Sequence, residues 1–375
     1  MKILHFYRTY FPDTQGGLEE VIRQICLTTK PLGVENRILT ISDRPSPEPI
    51  FREEGTVYQV KKNLEIASCT IGFDAIKKYR ELAEWADVVH LHYPWPFSDV
   101  VSLMSGARRP TVLTYHSDIV RQNILKWVYA PLKTRYLESV DTIVTTSPNY
   151  AESSSALSRY KSKLEVIPIG IDRASYPNVS EDNLSAASAR YGTDFFLFVG
   201  VLRYYKGLHV LLKAMKNADY TLLIAGAGPM EAKLKKQAQA LGLNNVEFLG
   251  YIPDEEKVAL YHLCRAVILP SHLRSEAFGV SLLEAAMYGK PLICAEIETG
   301  TTYINVHEKT GIVVKPDDSN ALRCAMDKLN GDDNLSRTLG EAALSRYDEL
   351  FTGKAMGERY YQLYRRLAVK IIDRE

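Results

Sequence analysis

No stretch of this 375-residue chain approaches the roughly 18–20 consecutive apolar residues that cross a bilayer, so no membrane span is expected. An excess of charge is missing as well. The 46 Lys and Arg nearly balance the 45 Asp and Glu, and a net charge of +1 gives no global field for nucleic acid. Cysteine is sparse and scattered (26, 69, 264, 294 and 324), with no CxxC pair. That argues against zinc and disulfide frameworks and suits a reducing compartment. The opening "MKILHFYRTYF" lacks the apolar core of a secretion signal and reads as a first strand.

What is present is a globular composition, 46% apolar, on a chain long enough for two cores. Short, continuous apolar runs recur, most followed by helical spacing. They are 2–6, 37–41, 87–92, 111–116, 142–146 and 165–169 in the first half, and 195–200, 221–226, 246–250, 266–270, 291–295 and 311–314 in the second. Continuous rather than alternating strands are expected where helices cover both faces of a sheet, and strands alternating with helices imply a parallel, doubly wound sheet. The pattern pauses at the polar stretch 170–188, which contains Pro177 and reads as a linker. The chain is thus expected to be α/β, two Rossmann-like domains with a ligand cleft between them. The amphipathic segment 353–372 reads as a final helix with no strand of its own.

In open α/β sheets, ligands sit beyond the carboxyl ends of the strands. The stretch "RSEAFGVSLLEAAMYGKP" (274–291) follows such an end. Its apolar spacing starts a helix near Phe278 or Gly279. The backbone N–H groups of Gly279, Val280 and Ser281 are then donors with no partner inside the helix, which is a phosphate site. Glu284 would lie one to two turns into the helix, within reach of ribose hydroxyls, and Glu276 in the preceding loop, where a sugar on a diphosphate would be. The same spacing also suits a solvated Glu and a capping Glu on an ordinary surface helix. "FVGVLRYYKG" (198–207) places Arg203 and Lys206 at another strand mouth, a clamp for diphosphate charge or a basic surface turn. Gly228 in "GAGP" and the pair Gly16–Gly17 lie in strand-to-helix turns, where backbone can approach a ligand or simply turn. His116 ends the strand 111–116. His90 and His92 form an HxH pair with no evident third ligand, so a metal there is not expected. Nor is there a D-x-D triplet for a metal bridging a diphosphate, and cations and helix dipoles must carry that charge.

Taken together, Glu276-x7-Glu284 with Phe278-Gly279, the Lys206-Gly207 turn, "GAGP" and Gly16–Gly17 resemble the retaining glycosyltransferases of family 4, which have the GT-B fold. The resemblance covers nearly the whole chain. It implies an acceptor-binding domain (1–172) completed by a returning helix (355–375), and a donor-binding domain (173–354). It implies that Glu276 contacts the donor sugar, Glu284 the ribose, Lys206 the phosphates and His116 the sugar, with Gly17 near the phosphates. It implies front-side transfer with retention, and a nucleotide-sugar co-substrate with no metal. One position departs: the Arg usual directly after the glycine of "FVG" is Val201 here, and Arg203, two residues on, is expected to reach the same phosphate.

Stretches 115–122, 167–172 and 298–305 resemble bacterial O-antigen and capsule enzymes. This suggests hexose transfer, with GDP-mannose as donor, to a glycan or polyprenyl-diphosphate-linked acceptor. A UDP-sugar donor is the alternative, followed by a nucleotide-sugar epimerase or a non-catalytic binding subunit. A cytoplasmic enzyme at the inner membrane face fits. The stretch 119–140 carries Arg121, Lys126, Lys133 and Arg135 beside Trp127, Tyr129 and Tyr136, which suits a membrane interface or a core helix with a basic outer face.

Overall fold

The apolar runs become parallel strands in two separate sheets. The computed structural model describes residues 1–66, 69–118 and 123–372, without the side chains of 123–128 and 370–372. The chain divides into two compact units. The first is Met1–Gly170 with Gly353–Glu375, and the second is Ile171–Thr352.

The first unit holds strands β1 (Lys2–Phe6), β2 (Glu35–Ser42), β3 (Ile50–Phe51), β4 (Thr56–Lys61), β5 (Leu64–Ile66), β6 (Cys69–Ile71), β7 (Val88–Tyr93), β8 (Thr111–Tyr115), β9 (Thr142–Thr145) and β10 (Leu164–Val166). Its main sheet has the order β10-β9-β8-β7-β1-β2-β4-β3, parallel except for the edge strand β3, while β5 and β6 pair antiparallel beside it. The region 50–71 carries four strands that the search for continuous apolar runs passes over. The reason is partial burial: β4 buries only Val57 and Val60, three apart and so on opposite faces, and β3 and β5 bury no residue. β8 ends at Tyr115, so His116 stands just beyond its strand, and its N–H donates to the Tyr93 carbonyl at 3.0 Å.

The helix Gly353–Ile372 belongs to this first unit. It buries Tyr360, Leu363, Tyr364 and Leu367. Gly357 lets it approach the helix Gly17–Thr29 closely, because a Cβ there would stand 2.6 Å from the Thr28 carbonyl oxygen.

The second unit holds β11 (Phe196–Val199), β12 (Leu222–Ala225), β13 (Val246–Gly250), β14 (Ala266–Leu269), β15 (Leu292–Ala295) and β16 (Gly311–Val314), all parallel, in the order β13-β12-β11-β14-β15-β16. The polar stretch 170–188 is only partly a linker. Ser180 caps a helix, Glu181–Tyr191, by accepting from the Asn183 N–H at 3.2 Å, and that helix is part of the second unit.

Strand order reverses between β1 and β7 in the first sheet and between β11 and β14 in the second. The loops leaving those four strands therefore diverge at the carboxyl edge and leave a crevice in each unit, the position at which such sheets bind ligands.

Candidate active site

In the second unit the switch point is framed by the turn after β11 and the loop after β14. The turn carries Lys206 on a short 3-10 segment, Tyr204–Lys206. It lies against the end of β14 because Gly207 (φ +71°) has no side chain; a Cβ would come within 1.8 Å of the Pro270 carbonyl oxygen. The loop carries Glu276 and leads into the helix Val280–Met287, which starts from Gly279 in the left-handed conformation (φ +96°). Helix and loop thus form where the sequence places them.

Lys206 Nζ and Glu276 Oε2 meet at 2.5 Å, and the Ser271 hydroxyl donates to the same oxygen at 3.2 Å. Glu276 is 8% exposed. Burial alone pulls the Lys206 ammonium down, but the Glu276 carboxylate outweighs it and the pKa is raised, so the cation is secure at neutral pH. Burial beside Glu276 also pushes the Tyr205 phenol up. Glu284, one face further along the helix, is held more completely. Its Oε1 accepts from Tyr176 at 2.8 Å and from Lys257 at 3.2 Å, and its Oε2 from Tyr261 at 2.7 Å. The first turn of the helix directs the N–H groups of Gly279, Val280 and Ser281 outward, with the positive end of the dipole. The unit therefore brings together a charged ammonium, a helix N-terminus and two oriented carboxylates, a set suited to a diphosphate with a polyhydroxylated group at each end.

Two of the expected residues have packing work in the structure, and a third is exposed. Phe278 turns its ring inward against Phe351, 6.2 Å between centroids, so only its backbone faces the site. Gly228 has a packing reason: a Cβ would stand 2.6 Å from the Leu202 nitrogen. Arg203 is exposed at the mouth of β11, beside the exposed Val201.

In the first unit, Gly16 and Gly17 open the helix Gly17–Thr29 in a loop that is tied down. The buried Glu19 accepts from Thr9 at 2.8 Å and from Thr14 at 3.0 Å, linking both limbs of the loop. Beside this switch point His116 joins a row of imidazoles. His92 Nδ1 lies 3.2 Å from His116 Nε2, and His92 Nε2 lies 3.2 Å from His5 Nδ1. Burial holds His5 and His116 neutral, pushing each pKa down to about 3, and holds His90 and His92 well below the ordinary value. The sequence reading found no third nitrogen for the HxH pair, yet β1 supplies one, since His5 is in register with His90. Both His90 nitrogens are nonetheless engaged, Nδ1 with the Tyr364 hydroxyl at 2.6 Å and Nε2 with Thr114 at 2.7 Å. The trio is built as a hydrogen-bond network. Among the described residues one other trio, His209, His272 and Asp317, has ligand-type atoms as close together.

Of the basic-aromatic stretch, residues 119–122 (Arg121 among them) and the side chains of Lys126 and Trp127 lie outside the described residues. Tyr136 is buried, Tyr129 donates to the buried Asp99, and Arg135 is exposed.

Two family descriptions match the chain, "Glycosyltransferase Family 4" over residues 15–175 and "Glycosyl transferases group 1" over 180–346. The D-rhamnosyltransferase WbpZ of Pseudomonas aeruginosa is 49% identical over 352 residues, 94% of this chain and 92% of that one. The O-antigen chain mannosyltransferase C of Escherichia coli is 43% identical over 366 residues, 97% and 98% of the two chains. The chain belongs to the family 4 glycosyltransferases. It is a GT-B hexosyltransferase of the bacterial O-antigen type. In fold it is similar to the sucrose-phosphate synthase of Thermosynechococcus elongatus (TM-score 0.79, 22% identity, 98% and 99% coverage). It is equally similar to Anabaena Alr3699/HepE, solved in complex with UDP-glucose (TM-score 0.79, 20% identity, 98% and 100% coverage).

For this glycosyltransferase, sequence reasoning missed the residues that hold the carboxylates in place. Lys257 and Tyr261 stand four apart on the helix Asp254–Leu263 and so share a face, a spacing that was readable. Tyr176 and Ser271 carried no such signal.

Proposed function

We propose that this glycosyltransferase moves mannose from GDP-mannose, with retention at the anomeric carbon, to a hydroxyl of a lipid-linked saccharide in surface-polysaccharide assembly. The observation that carries the reading is the Lys206–Glu276 pair beside the N-terminus of the helix Val280–Met287, at the switch point of the second sheet. The bond from C1 to the diphosphate breaks while the acceptor oxygen bonds C1 on the same face. The acceptor proton passes to the leaving diphosphate oxygen. Lys206, Arg203 and the N–H groups of Gly279, Val280 and Ser281 stabilise the charge that develops there, in a site where preorganised donors act without reorganising.

Glu276 takes a sugar hydroxyl, Glu284 the ribose, His116 a sugar hydroxyl, and Gly16, Gly17 and Gly228 allow close backbone approach. Tyr261 and Lys257 aim Glu284, leaving Oε2 with capacity for a further donor. No divalent ion is required in this scheme. The mannose assignment is supported by the names of the two relatives, since D-rhamnose is 6-deoxymannose and both sugars share one configuration at C2. The enzyme works at the cytoplasmic membrane face, where a polyprenyl-linked acceptor is presented, with Lys133 and Arg135 toward the lipid headgroups.

The test is calorimetry and released-nucleotide turnover for GDP-, UDP- and dTDP-sugars, with Glu276→Ala alongside. GDP-mannose preference, with turnover reduced roughly 10²–10³-fold in the variant, is expected. Preference for a UDP-sugar removes the donor assignment. Interconversion of sugars without acceptor makes the protein an epimerase, and binding without turnover on any acceptor makes it a binding subunit.

A further inference from the structure

The row of imidazoles in the first unit has a direction. It crosses four adjacent strands, from Asn36 on β2 through His5 on β1 and His92 on β7 to His116 after β8, all on one face of the sheet. Asn36 is 3% exposed, and its amide nitrogen donates to the Cys26 carbonyl at 3.1 Å. A carbonyl only accepts, so that contact fixes which end of the amide is nitrogen. Asn36 Oδ1 and His5 Nε2 are both buried without a hydrogen-bond partner among the described residues, and Asn36 stands on the strand next to His5, two register positions away on the same face. Pairing these two orphaned atoms satisfies both, and since the amide oxygen can only accept, it places the proton on His5 Nε2.

A neutral imidazole carries one proton, so each contact along the row dictates the next. With its proton on Nε2, His5 Nδ1 is a lone pair and must accept from His92 Nε2–H across their 3.2 Å contact. His92 Nδ1 is then a lone pair and must accept from His116 Nε2–H, again at 3.2 Å. His90 does not branch the row, because its nitrogens are spent on Tyr364 and Thr114. Burial keeps the three rings neutral at pH 7, which the one-proton count needs.

We propose that the Cys26 carbonyl, acting through Asn36, His5 and His92, fixes the tautomer of His116, so that His116 offers a lone pair at Nδ1 and accepts a hydrogen bond from a hydroxyl of the bound sugar. Asn36, His5 and His92 are positioning residues for this transferase. The last step rests on the reading of His116 as a sugar contact; the tautomer does not. The row gives the site an acceptor that stays uncharged, selective for hydroxyl donors and indifferent to the phosphates.

Long-range ¹H–¹⁵N correlation of the imidazoles in the full-length, ligand-free protein tests it, with His116 and His92 assigned from His116→Asn and His92→Asn. His5, His92 and His116 are each expected to carry their proton on Nε2. A proton on His116 Nδ1, or a charged ring at pH 7, overturns the proposal without reference to any substrate. Asn36→Leu removes the oxygen that orients the row. His116 should then populate both tautomers and kcat/KM should fall several-fold, with affinity for GDP alone unchanged. A folded Asn36→Leu protein with the wild-type tautomer also overturns it, and if that variant does not fold, the wild-type spectrum decides alone. Turnover unaffected by His116→Asn would strike out the sugar contact, whatever the tautomer.

Discussion

The first unit buries four imidazoles on one face of its sheet, all held neutral, while the second buries two Lys–Glu pairs whose ammonium groups are held charged. Both sets stand at the point where strand order reverses. In the first, desolvation is unopposed, so the rings give up charge and satisfy one another through hydrogen bonds. In the second, each cation has a carboxylate within 3.2 Å, and attraction overrides desolvation. The same architecture is therefore prepared for different chemistry, neutral hydrogen bonding in one unit and anion stabilisation in the other.

The largest effect that sharpens this contrast separates charge from packing. In the double variant Lys206→Met/Glu276→Leu, both partners of a buried pair are replaced by apolar groups. Stability by denaturant melt should stay within about 1–2 kcal/mol of wild type, because a buried pair contributes little net stability. Turnover should fall at least 10²-fold. Loss of both together would mean that the pair holds the fold rather than the substrate.

Next comes the response to pH, which should split the units. A His whose folded pKa lies below its unfolded value of 6.5 binds fewer protons when folded. Its cost to stability is absent above pH 6.5 and grows as pH falls toward about 3. Each such ring removes up to about 1.4 kcal/mol per pH unit in that window. The Lys residues run the other way. Their pKa values are raised, so their contribution is complete below the ordinary 10.5 and is lost as pH rises beyond it. Amide hydrogen exchange should show the first unit opening more readily at pH 5 than at pH 7, with a smaller change in the second unit, whose histidines of lowered pKa, His209 and His262, are half-buried and exposed respectively. Equal loosening of both would break the comparison.

Smaller effects follow. Tyr261→Phe removes one donor from Glu284 and should cost about 1 kcal/mol in stability, with a few-fold loss in donor affinity by calorimetry. Smallest of all, EDTA should leave turnover unchanged, since the charge of the leaving group is assigned to Lys206, Arg203 and the helix terminus.

Much of the fold was legible because its central strands are buried on both faces and so read as unbroken apolar runs; 2–6 matches the central strand β1 residue for residue. The edge region 50–71 was not, because its strands are mostly short and only partly buried and offer no unbroken apolar run. The site divides in the same way. Glu276, Gly279, Glu284 and Lys206 sit in short-range patterns around turns and a helix start, which spacing reports. Their partners come from afar: Tyr176 is 108 positions from Glu284, and His5 is 87 from His92. Among 23 tyrosines no spacing singles out Tyr176. The histidine row needed the strand order itself, because β1 and β7 become neighbours only when the sheet is built.

The helix Gly353–Ile372 completes a unit whose remainder was finished at residue 170. During synthesis the ribosome must make all 182 residues of the second unit, Ile171–Thr352, before the helix that covers the first sheet exists. Until then His90 lacks Tyr364 and the apolar face around β7 and β8 stands bare. A chain cut short before Gly353 therefore has a complete second unit and an unfinished first one, a natural target for chaperones and proteases. Synthesis of this helix, rather than any earlier local folding event, licenses the first unit to close.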